Sequence, residues 1–135
     1  MGSSHVKCTN LFTYGTLRVG QGNSTLLDET GKYIETVKTK DKFIMFTNRS
    51  RSFPYIIYAE YWPEMRQYSC EIIGDVYSVT PSGINLCDSL EGHPDWYIRT
   101  TIDLIKYKAD VYILTRESFN NMNKENIIIL NGNWL

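Results

Sequence analysis

The sequence predicts an α+β fold: a small mixed, β-barrel-like sheet with flanking helices. Three observations carry that expectation. Short runs rich in β-branched and aromatic residues recur along the chain, each bounded by Asn, Ser, Pro or Gly, as strands are. A single stretch, Thr80 to Gly92, carries a full set of helix start and stop signals. Ten Tyr, five Phe and three Trp favour strands and a partly polar core, because Tyr buries a ring and keeps a polar tip.

Taken in order, Val6 to Tyr14 reads as a strand running into a glycine-punctuated loop, Gly15 to Asn23. Ser24 to Glu29 reads as one or two helical turns with Ser24 as the cap. Lys32–Lys40, Lys42–Thr47, Pro54–Ala59 and Cys70–Val79 read as four strands. The firm helix follows. Thr80 is a good N-cap, Pro81 sits at the first helical position where a missing N–H costs nothing, and Gly92 with His93-Pro94 stops it after Glu91. Tyr97–Tyr107 and Ala109–Thr115 read as two more strands, and Arg116–Glu125 as a weaker helical stretch.

Composition bounds the rest. With 135 residues, 42% hydrophobic and 21% charged, the chain has ordinary globular usage and enough length for one core. The first five residues, Met1-Gly2-Ser3-Ser4-His5, read as the remnant of an expression leader. That leaves 6–135 as a single expected domain. Fourteen basic against fifteen acidic side chains give a net charge of −1, which carries no electrostatic footprint for nucleic acid. No apolar run, Ile127-Ile128-Ile129-Leu130 among them, approaches the ~18 residues of a membrane span. Cys8, Cys70 and Cys87 are odd in number, with no CxxC pair. Free thiols in a reducing cytoplasm are expected. No ligand cluster for a metal stands out, and no cofactor is expected.

Two features carry possible chemistry. On a helical wheel with Ile84 at 0°, Cys87 falls near ~300°, Leu86 near ~200°, Leu90 near ~240° and Glu91 near ~340°. Glu91 therefore lies between Ile84 and Cys87 at the edge of the apolar stripe. Burial raises a carboxyl pKa towards neutrality, and that is how a Glu becomes a general base. The alternative is a last-turn Glu rotated to water or paired with Arg99. The second feature is the glycine loop. It lacks the Gly-Lys-Ser/Thr of a P-loop and the spacing of a dinucleotide fingerprint. It can present bare backbone N–H groups to a carboxylate or oxyanion, or it can be an ordinary turn.

Together the two features change the reading. Leu11-Phe12-Thr13-Tyr14-Gly15-Thr16-Leu17-Arg18 resembles the opening signature of the γ-glutamylcyclotransferase-like superfamily, of the γ-glutamylamine cyclotransferase or AIG2-like type. Phe53-Pro54, Ile73-Gly74-Asp75-Val76-Tyr77, Leu86-Cys87-Asp88-Ser89-Leu90-Glu91-Gly92 with Tyr97 and Arg99, and Val111-Tyr112-Ile113 follow in the family's order. The resemblance spans about residues 8 to 115. It departs mildly from the family pattern at Thr16, Asp75 and Cys87. It implies Glu91 as the catalytic residue and Tyr14, Gly15, Thr16 and Leu17 as the substrate loop.

The activity implied is release of 5-oxoproline from a small γ-glutamyl amide or amine, without metal or cofactor. Glu91 would take a proton from the substrate's α-ammonium, and the amine would attack its own γ-carbonyl. Tyr97 would hydrogen-bond the glutamate or the substrate, or else pack as a core aromatic. Arg99 would pair with Glu91 or, more favourably for a base, with Asp103. Three other readings compete. One is a cysteine hydrolase using Cys87 and His93. Another is a non-catalytic module on the same fold that binds small carboxylates or a partner protein. The third is an interaction domain built on exposed tyrosines.

Overall fold

A computed structural model of the chain describes residues 7–15, 30–50 and 53–134. The expected Ser24–Glu29 turn, and the glycine loop beyond Gly15, lie outside them. The described elements are β1 (Thr9–Thr13), β2 (Gly31–Asn48), β3 (Pro54–Ile57), β4 (Cys70–Val79), α1 (Pro81–Glu91), β5 (Tyr97–Asp103), β6 (Lys108–Leu114), α2 (Arg116–Asn120) and β7 (Ile127–Ile129). Two 3-10 turns, Ala59–Tyr61 and Pro63–Tyr68, join β3 to β4.

The strands form one mixed sheet in the order β3-β2-β4-β1-β6-β5, with β7 also pairing β2. The β1–β6 pair is parallel, and the other ladders are antiparallel. The sheet is open but strongly curled: a single bridge, Thr39 to Leu104, brings its β5 end back towards β2. This is the α+β, barrel-like architecture expected.

Residue alternation divides the core in two. In β1, Leu11 packs on one side and Phe12 on the other; in β2, Ile44 and Phe46 oppose Phe43 and Met45; in β6, Tyr112 and Leu114 oppose Val111 and Ile113. The period of two places successive side chains on opposite faces. One cluster is covered by helices, through Ile84 and Cys87 of α1 and Phe119 of α2. Its centre is aromatic, with Phe46 stacked on Tyr55 at 5.2 Å and edge-on to Phe119 at 5.8 Å. The buried members of the other cluster come from strands and the residues flanking them.

The two strands expected over Lys32–Lys40 and Lys42–Thr47 are one. β2 runs 18 residues, and the register against β4 shifts between Lys38 and Lys42. That is a bulge, which bends a strand without ending it. Buried Thr39 fills the gap in the ladder: its Oγ1 accepts the Ile72 N–H at 2.9 Å and donates to the Asp41 carbonyl at 2.6 Å. Past the bulge β2 keeps two pairs with β4, Lys42 with Glu71 and Phe43 with Cys70, and from Ile44 on it pairs with β3 and β7. The helical stretch expected to Glu125 ends at Asn120, and a 3-10 turn at Lys124–Asn126 leads into β7.

β4 crosses β1 closely at Gly74. A Cβ there would stand 2.4 Å from the Thr13 carbonyl oxygen and 2.5 Å from Cζ of Phe12. The absent side chain lets the Phe12 ring lie across the strand.

Candidate active site

Helix α1 begins and ends as its sequence requires. Thr80 Oγ1 accepts the Gly83 N–H at 3.2 Å, and Gly92 adopts φ 66° and ψ 37°. That left-handed conformation suits Gly. It lets the His93 N–H reach the Asp88 carbonyl at 2.9 Å. The buried face of α1 is Gly83, Ile84 and Cys87, and Glu91 continues that face one turn on. The wheel's broader apolar stripe is not realised: Leu86 and Leu90 are each 48% exposed.

Glu91 opens into a cavity of about 200 Å³ at one end of the sheet. The end of β1 contributes Tyr14 and Gly15, and the entry to β3 contributes Phe53 and Pro54. The last turn of α1 adds Leu90 beside Glu91, the entry to β5 adds Trp96 and Tyr97, and β6 adds Tyr112. Four of the site residues expected from sequence, Glu91, Tyr14, Gly15 and Tyr97, thus share one cavity. Thr16 and Leu17 lie outside the described residues. Sequence reading alone had not placed Leu90, Trp96 or Tyr112 in the site. Phe53-Pro54 and Tyr112 stood in the motifs, but nothing local shows that their segments converge.

The electrostatics follow from what does and does not reach Glu91. Burial pushes its carboxyl from the ordinary 4.5 up to about 7. Arg99 does not offset this, because its guanidinium is engaged elsewhere. Nε donates to Asp88 Oδ1 at 2.9 Å and Nη1 to Asp110 Oδ2 at 2.7 Å. The expected pairings of Arg99 with Glu91 or Asp103 are therefore replaced, and Asp103 is bound by Lys108 at 2.6 Å. Asp110 is brought into reach by the β5–β6 register, in which it faces Thr101, two residues along from Arg99.

The Arg99 cluster also fastens the helix to the sheet. Tyr112 Oη donates to Asp88 Oδ1 at 2.6 Å, and the Arg99 N–H donates to His93 Nδ1 at 2.9 Å. Burial pushes the Asp88 carboxyl up, but the hydrogen bonds from Arg99 and Tyr112 and the Arg99 charge outweigh it, holding it below its usual range. In the cavity wall, Tyr14 Oη donates to the Tyr112 carbonyl at 2.6 Å. Burial, then the neighbouring Glu91, keeps the Tyr14 phenol protonated well above its usual range. Tyr97 is buried, stacks on Tyr55 at 6.2 Å and is likewise held protonated, by burial, then Tyr14 and Glu91. It is a core aromatic that also walls the cavity. The site is a desolvated carboxyl facing neutral phenols, an arrangement that can accept and return a proton.

The cysteine-hydrolase reading does not survive this geometry. Cys87 is fully buried, and burial, with Glu91 and Asp88 nearby, pushes its thiol up to about 11. Of the tyrosines on which the interaction-domain reading rests, Tyr33 and Tyr68 are 46% and 49% exposed and lie outside the cavity lining, whereas the exposed rings of Phe53 and Trp96 line the cavity. Among the described residues no group of three His, Cys, Asp or Glu side chains is placed to hold a metal ion. No helix among them is long and apolar enough to cross a membrane.

Comparison with known proteins defines the class to which this fold belongs. Residues 11–135 match the family described as "Gamma-glutamyl cyclotransferase, AIG2-like". The chain belongs to that family. It is 36% identical over 95 residues to the "Putative gamma-glutamylcyclotransferase" of Methanocaldococcus jannaschii, covering 70% of this chain and 71% of that one. It is 33% identical over 101 residues to gamma-glutamylaminecyclotransferase A of Danio rerio, covering 72% of this chain and 59% of the zebrafish protein. The crystal structure of a mouse AIG2-like protein superposes with a TM-score of 0.71 at 18% identity, over 92% of this chain and 86% of that one. At that identity the superposition speaks for the fold.

Proposed function

We propose that this protein is a γ-glutamylcyclotransferase-type enzyme that releases 5-oxoproline from a γ-glutamyl amide, with Glu91 as the proton shuttle. The observation that carries the proposal is the Glu91 carboxyl in the cavity wall, shifted to about 7. Passing a proton from the substrate's α-ammonium to an ordinary carboxylate is steeply uphill, and each pKa unit gained by the carboxylate lowers that cost by ~1.4 kcal/mol. The rise of Glu91 from 4.5 to about 7 therefore removes ~3 kcal/mol of it. Family membership supports the reading, as do the names of the two relatives.

Ionised Glu91 takes one proton from the substrate's α-ammonium. The freed amine attacks the γ-carbonyl carbon, and a C–N bond closes a five-membered ring. The tetrahedral carbon collapses, the C–N bond to the leaving amine breaks, and protonated Glu91 gives its proton to the departing nitrogen. The ring nitrogen sheds its second proton to solvent and the free amine takes one up, so the overall reaction balances. The attack is already intramolecular. The cavity needs only to hold the folded substrate conformer and move the proton. No redox or group-carrying cofactor enters these steps. The Tyr14 hydroxyl is already committed to the Tyr112 carbonyl, so the donors available to the developing oxyanion are the neutral Tyr97 phenol and main-chain amides at the exit of β1.

The test is incubation with γ-glutamyl methylamide and detection of 5-oxoproline by mass spectrometry. Stoichiometric 5-oxoproline and methylamine are expected. A non-catalytic carboxylate-binding module would bind the amide and release neither product, and that result would reject the proposal.

A further inference from the structure

Three apolar side chains that line the Glu91 cavity are also substantially exposed to solvent. Phe53 enters β3, Leu90 lies in the last turn of α1 and Trp96 enters β5; they are 40%, 48% and 42% exposed. They come from separate segments and converge on one cavity. We infer that this lip is the subsite for the leaving amine, and that the preferred leaving amine carries a compact apolar group, aromatic or branched. The inference rests on the ring-closing reading above and deepens it.

Size and charge support it. The cavity of about 200 Å³ is smaller than the ~300–1,000 Å³ that encloses a drug-sized ligand. It accommodates the glutamyl portion, and the amine substituent lies at the mouth, against the lip. Among the described residues of the wall, Glu91 alone carries a formal charge. A leaving group with its own ammonium or carboxylate meets no ion partner on Phe53, Leu90 or Trp96. An apolar group covers those side chains and excludes water from the mouth, which preserves the desolvation that holds Glu91 near neutrality. Leu90 directly precedes Glu91, so the same helical turn that aims the carboxyl inward sets this side chain at the rim.

The experiment compares kcat/KM for three substrates, γ-glutamyl methylamide, γ-glutamyl phenethylamide and ε-(γ-glutamyl)lysine, in the wild type, Leu90→Gln and Trp96→Ala. The phenethylamide is expected to exceed each of the others by roughly tenfold, the discrimination a hydrophobic subsite of this size gives. Each variant lowers the phenethylamide-to-methylamide ratio by about threefold or more. Both positions are substantially exposed, so folding is expected to survive, and circular dichroism checks it. Equal turnover of the three amides, or a ratio unmoved in both variants, overturns the apolar subsite while leaving the ring-closing reading in place. Absence of 5-oxoproline from all three overturns that reading, and this inference with it.

Discussion

Replacing Glu91 by glutamine tests whether the carboxyl is desolvated, independently of any substrate. Folding carries it from 4.5 to about 7, so the native state binds its proton more tightly than the unfolded chain. Below about pH 4.5 both states are protonated and the group is neutral to stability. Between the two values the unfolded chain ionises while the folded protein keeps its proton, and stability falls as pH rises. Above about pH 7 both are ionised and the loss is complete. At ~1.4 kcal/mol per pH unit the total is ~3 kcal/mol. Glutamine has the same shape and no charge, so Glu91→Gln escapes this loss. Urea unfolding of both proteins from about pH 4 to about pH 8 is therefore expected to show the variant gaining on the wild type by ~3 kcal/mol, most of it between pH 4.5 and 7. A difference that stays flat across that range would mean the carboxyl is solvated in the folded protein, and the argument for its basicity would fail.

Other outcomes follow from the same geometry. Gly74→Ala places a Cβ against the Thr13 carbonyl and the Phe12 ring and is expected to destabilise by about 3 kcal/mol or more, read as a lower urea midpoint. Arg99→Gln leaves Asp88 and Asp110 without their shared cation. It is expected to lose about 1–3 kcal/mol of stability and to lower kcat, because the strut between α1 and β6 positions Glu91. Cys87→Ser buries a hydroxyl in place of a thiol, so stability falls by about 1–2 kcal/mol, while 5-oxoproline formation persists; loss of activity in a folded variant would return the thiol to the mechanism.

Local signals were legible and long-range ones were not. The bounds of α1 follow from Thr80, Pro81 and Gly92, whose effects act within one turn. The inward aim of Glu91 follows from its spacing to Ile84 and Cys87. The wheel overextended the apolar stripe to Leu86 and Leu90, because it knows hydrophobicity and not which side the sheet lies on. The break expected near Asp41 is a bulge: the polar run Thr39-Lys40-Asp41-Lys42 looks like a turn until Thr39 is seen filling the ladder. The partners of Arg99 depend on the β5–β6 register and on how α1 packs, which no short window contains. The convergence of Phe53, Trp96 and Tyr112 on one cavity is likewise set by topology. The resemblance located Glu91 and Tyr14, while the charge environment that makes Glu91 basic became readable only once Arg99 was found occupied elsewhere.

The most direct test of the central claim is the pH dependence of kcat/KM for 5-oxoproline formation in the wild type against Glu91→Gln. The account predicts a wild-type rate that climbs with pH and levels off above about 7, as the carboxyl ionises, and a variant slower by about a hundredfold or more without that inflection. A variant that matched the wild type in rate and profile would contradict it.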